Sequence, residues 1–285
     1  MSHIEGKTIL LIAGQPKAGT TSLFDWLAQH PQIAAGKLKE IRFFLDPKYP
    51  LQAPARFNGT NLDSYLSLFN TPERNVLLDA TPDYIGCTAP LSLPSIHPAT
   101  KAIIILRDPE ERMISAYRFF RSHGRIPMSM TFDAYVAKQH AEGVTETTDV
   151  QWRALDHCRT DHYLTLWREA YGKNLLVLDF NDLRRDPKRM VDKICDFAGL
   201  KRSEAIETVQ SNKTQSYKYP GLYSAYSKVR RRIATRMIHH QWVYRMLRPF
   251  GRMLFKVLGR NQTNDIRIDV SEATRVILAD YKSAM

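Results

Sequence analysis

Residues 8–13, Thr8-Ile9-Leu10-Leu11-Ile12-Ala13, form an apolar run with no polar face. Three more runs of strand length follow: Val76-Leu77-Leu78-Asp79, Ala102-Ile103-Ile104-Ile105-Leu106 and Asn174-Leu175-Leu176-Val177-Leu178-Asp179. Ile33-Ala34-Ala35 is a shorter one. Runs that are apolar on both faces predict buried parallel strands. Between them the apolar spacing becomes helical, which predicts helices over 20–29, 61–69, 110–123, 131–141, 149–171 and 187–198. Alternating β and α elements predict an α/β fold, a parallel sheet flanked by helices. Residues 203–222 read as irregular, and 223–258 as a helical segment broken at Pro249. The last residues, 271–284, carry a helical pattern that the chain end interrupts, which reads as a chain that continues. At 285 residues without internal repeats, a single domain over 1–285 is expected.

The first strand leads directly into Gly14-Gln15-Pro16-Lys17-Ala18-Gly19-Thr20-Thr21-Ser22. The spacing nearly matches the phosphate loop G-x-x-x-x-G-K-[ST]. Gly14 and Gly19 fit, and Thr21 holds the hydroxyl position. Thr20 stands where the lysine belongs, and a lysine appears three residues earlier, at Lys17. Backbone N–H groups of such a loop still wrap an anion at a helix N-terminus. The cation now comes from the other side. The pattern points to the 5′ anion of a nucleotide and away from ordinary Mg-ATP hydrolysis.

A second junction lies at Leu106-Arg107-Asp108-Pro109-Glu110-Glu111-Arg112-Met113-Ile114-Ser115. Asp108 is a good N-cap, Pro109 suits the first turn, and Glu111 completes a capping box. Arg107 therefore sits at the carboxyl end of a strand, where open α/β sheets bind ligands. An arginine with Ser115 two turns on is a pairing suited to a second phosphate; a capped helix with surface arginines reads equally well from spacing alone.

Charge changes the picture in one place. The formal net charge is +12. Between Glu207 and Asp265 there are twelve Lys and Arg and no acidic residue, which accounts for the whole excess. Three readings of that segment stay open: a groove for a polyanionic acceptor, a surface for anionic lipid, or a solvated amphipathic helix. Cys87, Cys158 and Cys195 are far apart and read as reduced structural thiols. With no signal-peptide pattern and no apolar stretch of spanning length, the expected location is cytoplasmic, with peripheral membrane contact through the basic segment. The nine histidines show no metal-ligand spacing.

Taken together, Pro16-Lys17-Ala18-Gly19-Thr20-Thr21 and Arg107-Asp108-Pro109…Arg112…Ser115 resemble the two signature segments of sulfotransferases. Lys39-Glu40-Ile41-Arg42-Phe43-Phe44 is similar to the K-E-x-x-F-F stretch of heparan-type and related bacterial carbohydrate sulfotransferases. Asp79-Ala80-Thr81-Pro82-Asp83-Tyr84 is similar to their acidic-x-T-P-x-Y stretch, and Leu176 to Pro187 fits as well. The likeness runs from about residue 8 to about residue 218.

The resemblance implies a P-loop-NTPase-like sheet, with the basic helical segment toward the C-terminus. It implies 3′-phosphoadenosine 5′-phosphosulfate (PAPS) as donor, 3′-phosphoadenosine 5′-phosphate (PAP) as product, and no required metal. Lys17, Ala18, Gly19, Thr20, Thr21 and Ser22 are then expected at the 5′-phosphosulfate, and Arg107 and Ser115 at the 3′-phosphate. Lys213, Tyr217 and Lys218 are expected in a late loop over the nucleotide. Glu40 is expected as general base, Lys17 as the catalytic cation, and Lys39, Asp79, Thr81 and Asp83 at the acceptor. His97 is an alternative base, since some cytosolic sulfotransferases use histidine. The expected partner is a hydroxyl-bearing glycan or glycolipid, not nucleic acid. Other classes left open by the residues are a P-loop small-molecule kinase and a basic membrane- or nucleic-acid-docking module without catalysis.

Overall fold

The computed structural model describes residues 4–208, 216–217, 229, 259–260 and 268–283. Five strands form one parallel sheet in the order β2-β3-β1-β4-β5: β1 (Thr8–Gly14), β2 (Ile33–Ala35), β3 (Val76–Asp79), β4 (Thr100–Leu106) and β5 (Leu175–Asp179). β1 is central, with Leu11 opposite Asp79 of β3 and Gly14 opposite Ile104 of β4. Its side chains show why the sequence runs are uniformly apolar. Ile9, Leu11 and Ala13 enter one hydrophobic cluster, while Leu10 and Ile12 enter another on the opposite face.

The first face is covered by aromatic residues: Phe43, Phe44, Tyr65 and Tyr84 meet edge-on or tilted, and Trp167 stacks on Tyr171. Tyr65 lies on the one-turn helix α2 (Asp63–Leu66), and α3 (Leu93–Ile96) is equally short. The second face is covered by α1 (Thr20–Leu27) and α8 (Pro187–Ala198). A third cluster joins α4 (Pro109–Ser122), α5 (Phe132–Glu142) and α9 (Glu272–Ser283). All three cysteines are buried free thiols.

The α4 and α8 helices begin alike. Asp108 and Asp186 each accept a hydrogen bond from the backbone N–H three residues on, at 3.1 and 3.0 Å, and a proline follows each cap. The Asp108 end departs from the expected capping box in one respect. Glu111 turns its carboxylate to the Arg107 guanidinium instead.

Two helices differ from the sequence expectation. The pattern over 61–69 gives only α2. The pattern over 149–171 gives α6 (Thr160–Tyr171), preceded by short 3₁₀ turns at Val150–Trp152 and Asp156–Cys158. Side chains from elsewhere take the backbone groups that a longer helix would use. The Gln139 amide oxygen accepts from Leu155 N–H at 2.9 Å, the Gln15 amide donates to His157 C=O at 3.0 Å, and Arg112 donates to Ala154 C=O. Helix α7 (Phe180–Arg185), directly after β5, was hidden by its shortness. Asp179 starts it by accepting from Asn181 N–H at 2.6 Å.

Lys213, Lys218 and nearly all of the basic segment lie outside the described residues. Tyr217 lies in β6 (Ser216–Tyr217), which pairs antiparallel with β7 (Gly259–Arg260). Among the described residues, no helix is long and apolar enough to cross a membrane.

Candidate active site

The carboxyl ends of β1 and β4 lie side by side, and the two junctions singled out in the sequence meet there. The loop after β1 curls tightly. Lys17 has φ 70° and Gly19 has φ 83°, both left-handed. Gly19 begins α1, which has no side-chain cap, so the helix N-terminus opens toward the loop. The glycine is required twice over. Its φ suits glycine, and a Cβ there would stand 2.8 Å from Leu183 Cδ2 and 3.1 Å from Phe180 Cε2. Gly19→Ala is expected to lose about 2–4 kcal/mol of stability, combining left-handed strain with overpacking. Denaturant unfolding with an unchanged midpoint would show that the loop accommodates the methyl.

Gln15, which sequence reasoning passed over, ties this loop to its surroundings. Its N–H donates to Ile105 C=O at 2.9 Å, and its amide oxygen accepts from Arg107 N–H at 3.2 Å. The Arg107 side chain is held from three sides. Nη1 donates to Lys17 C=O at 3.0 Å, Nε and Nη2 both reach Glu111 Oε2 at 3.3 Å, and the guanidinium lies 4.4 Å from the Phe180 ring centroid. Ser115 is partly buried on α4. One turn further on, Phe119 carries Lys17 Nζ at 4.0 Å from its ring centroid. Phe119 and Phe180 were also missed. The i,i+4 spacing of Ser115 and Phe119 puts them on one helix face, and that was the available signal.

Lys17 is surrounded by charge. Burial pushes its pKa down to about 8, Lys39 and Arg107 push the same way, and Glu40 pulls against them. Residues from three widely separated stretches are thus gathered: Lys17, the adjacent Lys39 and Glu40, and Arg107. Glu40 Oε2 accepts from Arg42 Nη2 at 2.6 Å, and Oε1 lies 3.9 Å from Lys39 Nζ. Burial also lowers the Lys39 ammonium, against the attraction of Glu40, Asp25 and Asp83. Asp83 accepts from the Tyr49 hydroxyl at 2.7 Å, and burial, then the neighbouring Glu40, raise its pKa. His123, its ring tilted against Phe119 with centroids 4.1 Å apart, is pushed down to about 4 by burial.

Of the remaining loop positions, Ala18, Thr20 and Ser22 are buried and Thr21 is partly exposed. Asp79 and Thr81, expected at the acceptor, lie in the interior. Both are fully buried, and their polar atoms face each other and the protein interior. His97, the alternative base, stands elsewhere. It precedes the amino end of β4 and is buried beside Thr100, at the far end of the sheet from the glycine loop. Among the described residues, no group of three or more His, Cys, Asp or Glu is gathered to hold a metal.

Residues 7–239 match the family model described as a sulfotransferase domain. The chain belongs to the sulfotransferase family. Among relatives of this chain is human bifunctional heparan sulfate N-deacetylase/N-sulfotransferase 3. It is 28% identical over 201 residues, covering 67% of this chain and 22% of the relative. Human heparan sulfate glucosamine 3-O-sulfotransferase 3B1 is 26% identical over 210 residues, covering 73% of this chain and 50% of that one. The chain thus spans about a fifth to a half of the length of these relatives. A solved sulfotransferase from Alicyclobacillus acidocaldarius shares the fold, with a TM-score of 0.62 at 24% identity over 73% of this chain and 87% of that one. The fold is P-loop-NTPase-like: a parallel sheet flanked by helices, with the glycine loop after the central strand.

Proposed function

We propose that this sulfotransferase moves a sulfuryl group from PAPS to a hydroxyl of a carbohydrate or glycolipid acceptor. The observation that carries the reading is the clustering of Lys17, Lys39 and Arg107 around an uncapped helix N-terminus, with Glu40 beside them. Three cations and a curled loop suit a donor with phosphosulfate at one end and a 3′-phosphate at the other. Thr20 to Ser22 open α1 at the phosphosulfate, while Arg107 and Ser115 take the 3′-phosphate. The acceptor oxygen attacks sulfur as the S–O bond to the 5′-phosphate breaks. Glu40 takes the acceptor proton, and Lys17 meets the charge that builds on the departing phosphate oxygen. The heparan sulfate relatives favour a glycan acceptor.

Calorimetry with PAP tests the donor assignment. Wild-type protein is expected to bind, and Arg107→Ala to bind about 10- to 100-fold more weakly, the worth of charge-assisted hydrogen bonds to a phosphate. Equal affinity in the two proteins would remove Arg107 from the site. Radiolabelled PAPS offered with a panel of glycans, glycolipids and peptides identifies the acceptor class.

A further inference from the structure

The segment carrying Lys39 and Glu40 runs between β2 and α2 without a regular strand or helix of its own. What fixes it is a buried polar knot at the carboxyl end of β3. Asp79, 0% exposed, accepts from Tyr84 OH at 2.8 Å, from Thr81 Oγ1 at 2.8 Å and from Tyr65 OH at 3.3 Å. Its carboxylate also accepts from Ile41 N–H. Thr81 Oγ1 in turn accepts from Arg42 N–H at 3.1 Å, and Tyr84 OH accepts from Phe44 N–H at 3.2 Å. Three backbone amides just after Glu40 therefore end on one carboxylate, directly or through a single hydroxyl. Ala80 N–H adds a weaker link to Lys39 C=O at 3.4 Å. Arg42 holds a left-handed φ of 65°. For a non-glycine residue such a conformation persists when its surroundings over-determine it.

We infer that Asp79, with Thr81 and Tyr84, is a positioning group that locks the backbone of residues 39–44 and thereby sets Glu40 and Lys39 against the donor. The three side chains are fully buried. They act through the amides of Ile41, Arg42 and Phe44. This inference rests on the proposed role of Glu40 for its catalytic consequence, and on geometry alone for the lock itself. An isosteric amide at 79 breaks the lock, because the carboxamide offers one acceptor oxygen where the ionised carboxylate offers two.

Protonation does the same. Burial pushes the Asp79 pKa up to about 7. The titratable groups facing it are the phenols of Tyr65 and Tyr84, both pushed well above their ordinary range by burial. As pH falls through about 7, the acid becomes a donor among donors, and the segment loosens.

Hydrogen exchange on the full chain, read residue by residue, tests the lock. Asp79→Asn is expected to speed exchange of the Ile41, Arg42 and Phe44 amides about 10- to 100-fold, the worth of hydrogen bonds to a charged group. Amides of β1 and β4 keep their protection, and PAP affinity stays within about threefold. Wild-type protection of 39–44 falls as pH drops through about 7, after correction for intrinsic rates, and Asp79→Asn abolishes that step. Thr81→Val loosens Arg42, and Thr81→Ser restores it, which keeps the test available should Asp79→Asn fold poorly. Unchanged protection at the three amides would overturn the inference. So would a loss shared equally with β1 and β4, or a Thr81→Ser as damaged as Thr81→Val. Should Glu40→Gln retain turnover while Asp79→Asn loosens 39–44, the base assignment falls and the lock stands.

Discussion

Glu40→Gln is expected to lower turnover by about 10²- to 10⁴-fold, the usual worth of general-base help, while PAP affinity stays within about twofold. The substitution keeps the shape of the side chain and removes its capacity to hold a proton at neutral pH. Its amide oxygen still accepts from Arg42, which reaches Glu40 Oε2 at 2.6 Å, so the orientation survives and the chemistry does not. An acceptor hydroxyl is a poor nucleophile until its proton has somewhere to go, whereas the departing phosphate needs no proton. Removing the base should therefore fall on kcat rather than on donor binding. The measurement is steady-state turnover with PAPS and an acceptor found by the panel screen, paired with PAP calorimetry. Retained turnover would move the base to another group. Asp83 is then the first to examine, because it lies near enough to Glu40 for the two charges to interact.

The fold was legible because its decisive signals are local. Uniformly apolar runs mark strands buried on both faces, and Asp-Pro pairs mark the starts of α4 and α8. The glycine loop announces itself through spacing that a left-handed Gly19 makes necessary. The gathering of Lys17, Lys39, Glu40 and Arg107 was legible through family likeness, since nothing local places Glu40 near Lys17. What stayed hidden depends on partners distant in sequence. Gln15 reads as loop filler until Arg107, 92 residues away, is seen donating to it. The 149–158 stretch has helical spacing, yet Gln139 and Arg112 compete for its backbone groups. Asp79 and Thr81 carry the residue types of a binding site, and the segment after Glu40 consumes their hydrogen bonds. A motif of polar residues beside a site thus has two uses, contact with ligand or support of the residues that make contact. Sequence spacing does not separate them.

Lys17→Met is expected to cost about 10²- to 10³-fold in kcat, comparable to loss of one preorganised group that meets charge in a transition state. The displaced lysine makes a further pH-dependent prediction. Burial lowers its pKa to about 8, so the side chain is charged below that pH and neutral above it. The sign follows directly: kcat/KM for PAPS falls as pH rises through about 8, because the free enzyme loses the cation that draws the phosphosulfate. Bound donor adds negative charge beside the ammonium and raises its pKa, so the alkaline limb of kcat lies at higher pH than that of kcat/KM. Lys39 and Arg107 push the Lys17 pKa down and Glu40 raises it, while His123, held near 4, is neutral throughout this range. Folding responds oppositely to catalysis. A lysine whose folded pKa lies below its unfolded value of 10.5 is charged in the unfolded chain while already neutral in the fold, so its contribution to stability rises between about pH 8 and 10.5. The free enzyme is therefore least stable, as far as Lys17 contributes, in the pH range where it attracts the donor best, and the donor anion offsets that cost on binding. Lys17→Arg separates charge from titration. Its guanidinium stays protonated, so whatever activity it retains should lack the alkaline limb near pH 8. A limb that persists unchanged in Lys17→Arg would assign it to another group and leave the lysine with a steric role beside Phe119.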